Sequence, residues 1–192
     1  MYPEEMAVMR KLPFDPIDEA RRHWEGRWGR GGAMAAATAV MRVQQIVLGS
    51  VDEALRPFDL TFARYEALVL LQFSRKGSLP LGKMGERLMI HPTSVTNIVD
   101  RLEAQGFIRR LPHPTDRRTT LAEITDDGRQ VVEEATKAVT EVTFAMDGLT
   151  EGELEDLIRL LRKLRLSAGD FEASGEVVRG EAPPTKPERS EE

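Results

Sequence analysis

Thr93, Ser94, Thr96, Asn97 and Arg101 cluster in one short stretch of this chain, and all can hydrogen-bond base edges or phosphate oxygens. Among them run Val95, Ile98, Val99 and Leu102 at i, i+3, i+4 and i+7. That spacing predicts a helix with one buried stripe, and it turns the polar set, with Asp100, toward solvent. Arg109, Arg110, Arg117 and Arg118 follow, opposed only by Asp116, so the local balance is 4 − 1 = +3 in a chain whose net charge is −5. Arginines concentrated in an otherwise acidic protein need a local reason, and phosphate is the usual one.

The elements that must position these side chains can be read around them. Gly82–Met89 is predicted as a short helix, with Met84 and Leu88 in the core and Lys83 and Arg87 exposed near phosphate. His91–Pro92 is the turn. Pro92–Gln105 is a second helix, started by a proline whose missing N–H costs nothing at the first helical position. Gly106 ends it. Phe107–Leu111 and Thr119–Ile124 are predicted strands, joined by a loop that Pro112 and Pro114 stiffen. A helix-turn-helix followed by a hairpin is a winged helix, an arrangement suited to duplex DNA.

The run from Ser94 to Glu103, continuing through Gly106-Phe107-Ile108-Arg109-Arg110, resembles the recognition helix and first wing strand of the MarR (multiple antibiotic resistance regulator) family. Asp116-Arg117-Arg118, then Leu121 and Ile124-Thr125-Asp126-Asp127-Gly128, resemble its Asp-x-Arg wing and the Leu-Thr-x-x-Gly after it, with Ile124 in place of the leucine. The likeness covers about Val40 to Leu166. It implies a homodimeric repressor on a pseudo-palindromic operator. By this resemblance Arg118 enters the minor groove, Asp116 orients it and Arg117 meets phosphate. It also implies a small aromatic or anionic effector, for which Trp24, Trp28, Arg42, Phe58, Arg64 and Tyr65 are candidate walls.

The rest of the chain frames this unit. Met1–Pro13 is read as an arm and Pro16–Trp28 as a short helix, capped by Asp15, with Trp24 and Trp28 on one face. Ala33–Leu55 reads as a long helix through Val40, Val43, Val47, Val51 and Leu55. A third helix runs from Phe62 to about Arg75, capped by Thr61, and Gly77–Pro80 is a loop. After the wing, Thr125 caps a helix from Asp126 to about Met146. Thr150 precedes a last helix, Glu151–Ser167, whose Leu154, Leu157, Ile158, Leu161 and Leu164 are expected to face a core. The fold class is mostly α with a small β-hairpin wing. The division is an N-terminal arm and short helix (1–32), a helical dimerisation region (33–60 and 125–168), a winged helix-turn-helix (61–124) and a disordered acidic tail (169–192).

Composition narrows the function classes. With no cysteine, disulfides and thiol redox chemistry are excluded. The three histidines, His23, His91 and His113, are far apart, so no metal or other cofactor is expected. No apolar run reads as long enough for a membrane span, so a cytoplasmic protein with no membrane partner is expected. No nucleophile–base pair or phosphate loop marks an enzyme. The alternative to a ligand-released regulator is an architectural, ligand-independent DNA-binding protein.

Overall fold

Asp15 opens the first helix as expected: its carboxylate accepts the Ile17 N–H at 2.8 Å, and α1 runs Pro16–Trp28. The computed structural model describes residues 12–116 and 118–172. They form two compact units, one ending at Asp147 and one beginning at Gly148. In the first unit α1 is followed by α2 (Gly32–Leu55), a 3-10 turn (Arg56–Phe58) and α3 (Phe62–Gln72). Then come β1 (Ser78–Pro80), α4 (Leu81–Leu88), α5 (Pro92–Ala104), β2 (Ile108–Pro112), β3 (Thr120–Ile124) and α6 (Asp126–Glu141). The second unit holds α7 (Glu151–Ser167), started by a capping box between Thr150 and Glu153.

One core joins the winged unit to the helices around it. Val51 and Leu55 of α2, Leu68 and Leu71 of α3 and Met84 of α4 meet Val95, Val99 and Leu102 of α5. Ile108, Ala122 and Ile124 of the sheet and Val132, Ala135 and Val139 of α6 complete it. Tyr65 is buried there too, its hydroxyl 3.0 Å from that of Thr136. The predicted stripe of α5 is therefore its buried face, with Ile98 only partly covered.

Several boundaries differ from the sequence reading, each for a physical reason. Ser78–Pro80 is not a loop but a third, antiparallel strand; the sheet order is β1-β3-β2, with Leu79 opposite Ala122. Three residues are too few to show a period, and the proline is tolerated because β1 is an edge. Thr61 sits at the cap of α3 but its side chain caps nothing. Asp52 of α2 instead accepts the Phe62 N–H at 2.6 Å. α6 stops at Glu141 rather than near Met146, because Thr143, Phe144 and Ala145 all adopt left-handed φ between 48° and 58°. No glycine marks that break, so the backbone there is strained.

The apolar stripes of the two other long helices are mostly uncovered. Of the α2 series only Val51 and Leu55 are buried; Val40, Val43 and the neighbouring Met41 and Ile46 are exposed. The segment Gly32–Phe58 is also long and apolar enough, by length and composition, to pass for a membrane span, which corrects the reading that no such run exists. In α7 none of the expected core residues is buried, and Ile158 and Leu164 are more than half exposed. Residues 1–11 and 173–192, the bulk of the expected arm and acidic tail, lie outside the description.

The junction between wing and α6 is the tightest point. Thr125 caps α6 by accepting the Gly128 N–H at 3.0 Å, and its hydroxyl donates to the Gly106 carbonyl at 2.8 Å. A Cβ on Gly128 would run into the Phe107 carbonyl and come within 2.9 Å of Ile124 Cγ1. That carbonyl already accepts the Thr125 N–H at 3.0 Å. Glycine to alanine inside a helix normally gains about 1 kcal/mol. Gly128→Ala is expected instead to destabilise by roughly 1–3 kcal/mol, as overpacking against backbone does, read as a lower urea midpoint at unchanged m-value.

Candidate nucleic-acid interface

The recognition face is built from the N-terminus of α5 outward. His91 is extended, Pro92 takes the first helical position, and the His91 imidazole accepts the Thr93 N–H at 3.2 Å. The first turn is thus fixed before any side chain is placed. Thr93, Ser94, Thr96, Asn97, Asp100 and Arg101 are all exposed, opposite the buried Val95, Val99 and Leu102. They are not equally free. The Thr96 hydroxyl donates to the Pro92 carbonyl at 3.1 Å, and that of Thr93 lies 3.1 Å from His91 Nδ1. Ser94, Asn97 and Arg101 make no side-chain hydrogen bond among the described residues, so they keep donors and acceptors for a ligand.

Two of the four arginines expected to meet phosphate are paired with acids of this chain, which corrects the charge reading. Arg109 on β2 pairs with Glu123, its cross-strand partner on β3. Arg110 reaches back to α5, where its guanidinium binds Glu103 and, at 2.5 Å, Asp100. Its backbone N–H also donates to Glu103 at 2.9 Å. Burial alone would lower the arginine's pKa; the hydrogen bonds and charges of Asp100 and Glu103 outweigh that and raise it. Arg110 is therefore a tie between wing and recognition helix. Counting charges along the chain missed it because its partners lie on another element.

At the wing, Arg118 is exposed and has no ion-pair partner among the described residues. Arg117 lies outside them. Asp116 organises the turn through the backbone: its carboxylate accepts the Arg118 N–H at 3.0 Å and the Thr119 hydroxyl at 2.7 Å. Those bonds, the Thr119 hydroxyl first, hold it below the ordinary carboxylate range, so it is charged at neutral pH. It acts on where Arg118 starts, not on the guanidinium itself. Arg118, Lys83 and Glu86 line a cleft of about 380 Å³ between wing and α4. Arg101 lies in another, of about 480 Å³, with Asp59, Arg64, Ala104 and Gln105.

The six candidate effector walls are scattered by comparison. Trp24 and Trp28 are exposed on α1, edge to face with ring centroids 4.9 Å apart, and Arg27 stacks over Trp28 at 5.4 Å. Arg42 is exposed on α2, Phe58 packs against the core and Tyr65 is inside it. Arg64 hydrogen-bonds Gln105 at 3.3 Å, and it alone of the six lines either of these clefts.

Comparison with known proteins agrees with this geometry. The model of the MarR family matches residues 61–120, from the start of α3 into β3. The HTH-type transcriptional regulator YhbI of Bacillus subtilis is 31% identical over 142 residues, covering 71% of this chain and 87% of that protein. The crystal structure of Sco5413, a MarR family transcriptional regulator from Streptomyces coelicolor, is 53% identical with a TM-score of 0.68, covering 73% of this chain and 97% of that one. A cysteine-to-serine mutant of MarR from Escherichia coli, solved with operator DNA, shares the fold at 24% identity and a TM-score of 0.63, over 70% of this chain and 96% of that one. A capped helix with a polar outer face, a wing tied to it and relatives of this kind lead to one assignment: the chain belongs to the MarR family of winged-helix transcriptional regulators, which are not enzymes.

Proposed function

We propose that this protein is a homodimeric, sequence-specific repressor acting in the cytoplasm on a pseudo-palindromic operator. One arrangement supports the reading: Ser94, Asn97 and Arg101 are exposed on a capped helix, and Arg118 is exposed on a wing that Arg110 ties to that helix. In this reading the N-terminal half of α5 enters the major groove and Asn97 and Ser94 read bases. Thr93 and Thr96 present their remaining lone pairs and methyl groups. Arg101, at the far end of the helix, sits against the backbone. Arg118 reaches the minor groove, Asp116 sets its turn and Arg117 meets phosphate.

The exposed apolar side chains of α2 and α7 support the dimer. Two-fold symmetry then sets the half-sites about 34 Å, or about 10 base pairs, apart. Release by a small aromatic or anionic effector is the regulatory part of the proposal. The exposed Trp24–Trp28 pair with Arg27 is the observation that favours it.

Fluorescence anisotropy on the DNA upstream of its own gene, with unrelated DNA as control over a salt series, tests the whole. Tight binding confined to the upstream fragment is expected; equal, salt-sensitive binding to both points to the architectural alternative. Arg118→Ala should weaken binding to every sequence and flatten the log–log salt slope by about 0.9 for each phosphate left without its cation. Asn97→Ala should lose roughly 1–3 kcal/mol of discrimination at one base position and little elsewhere. Arg110→Met should weaken operator binding by about tenfold or more without removing a group that touches DNA, because it unties the wing and leaves two carboxylates facing phosphate. Met41→Glu should turn dimer into monomer in light scattering. Since the chain has only two tryptophans, benzoate binding near α1 should quench their fluorescence at the concentrations that release DNA.

A further inference from the structure

The tripeptide His-Pro-Thr occurs twice, at His91-Pro92-Thr93 and His113-Pro114-Thr115. The first opens α5 and the second turns the wing, and both fold alike. Nδ1 of His91 accepts the Thr93 N–H at 3.2 Å and lies 3.1 Å from the Thr93 hydroxyl. Nδ1 of His113 lies 3.4 Å from both the N–H and the hydroxyl of Thr115, and accepts the Asp116 N–H at 3.2 Å. The chemistry of the tripeptide explains the repetition. Proline has no N–H and pushes the residue before it into an extended conformation; His91 has φ −64° and ψ 146°. The next free N–H belongs to threonine, and the imidazole folds over to take it.

A backbone N–H can only donate. In both turns Nδ1 must therefore carry a lone pair, with the ring proton on Nε2. The third histidine, His23, is exposed on α1 and makes no such bond among the described residues.

We infer that His91 and His113 are positioning residues for operator discrimination: each Nδ1 acceptor holds in place a turn from which DNA-reading side chains depart. Without the acceptors the first turn of α5, which carries Ser94 and Asn97, and the turn that launches Arg118 loosen. The cations that meet phosphate are unchanged, so affinity for any duplex holds. The ratio of operator to unrelated affinity therefore falls while the unrelated affinity stays.

This inference rests on the operator-binding reading, and the test separates the two. The probes are a duplex enriched from a random pool by the wild-type protein and its scrambled counterpart, both measured at constant salt. The His91→Ala, His113→Ala double variant is expected to lose about fivefold or more of the wild-type affinity ratio, the effect of losing one helix cap. The His91→Asn, His113→Asn double variant keeps an acceptor in both turns and should hold the ratio within about twofold of wild type. An alanine variant whose ratio does not change, an asparagine variant that loses as much as the alanine one, or an equal loss of affinity for both duplexes would each overturn the inference. A random pool that yields no enriched duplex would overturn the operator-binding reading itself, and this inference with it.

Discussion

The guanidinium of Arg110 joins the wing to the recognition helix. It leaves the wing strand β2 and ends between Asp100 and Glu103 on successive turns of α5. An isolated surface ion pair contributes little, because water screens it and side-chain entropy opposes it. This one differs in geometry. One cation spans two carboxylates, the backbone N–H of the same residue adds a bond to Glu103, and Arg110 is only 28% exposed. The pair thus acts less as stored energy than as registration. It fixes the angle between the recognition helix and the wing hairpin, and it neutralises two acids of that helix.

The second constraint is steric. Thr125 bonds both Gly106 and Gly128, and Gly128 sits where a side chain would strike the Phe107 carbonyl. The end of α5, the start of β2 and the start of α6 are thereby locked at one point. The Ile-Thr-Asp-Asp-Gly run is, in physical terms, an N-cap followed by the only residue that fits beneath a backbone carbonyl.

Much of this was legible in the chain, and what was not has identifiable causes. The α5 stripe could be read because a period of 3.6 survives in Val95, Val99 and Leu102, and the caps Asp15, Thr125 and Thr150 stand where oxygen-bearing side chains precede apolar runs. The commitment of Arg109 and Arg110 could not be read, since it depends on strand register and on acids of other elements. β1 is shorter than any period. The left-handed run at Thr143–Ala145 carries no glycine to announce it. The stripes on α2 and α7 were visible, but a stripe says only that a surface must be covered. It does not say that the cover belongs to the same chain.

The core that buries Val95, Val99 and Leu102 also buries Val51 and Leu55 of α2 and Val132, Ala135 and Val139 of α6, with no layer of polar side chains in between. Such an interior offers no slip plane: a dense apolar core resists shear and is not continuously deformable. Among the described residues, no polar seam separates the recognition helix from the lower end of α2 and from α6. If two such bodies grip one duplex, the distance between their reading heads becomes a property of the pair. It can be retuned only by pivoting whole protomers about their shared seam, and a small angular change there is magnified along α2, whose 24 residues span about 36 Å at 1.5 Å per residue.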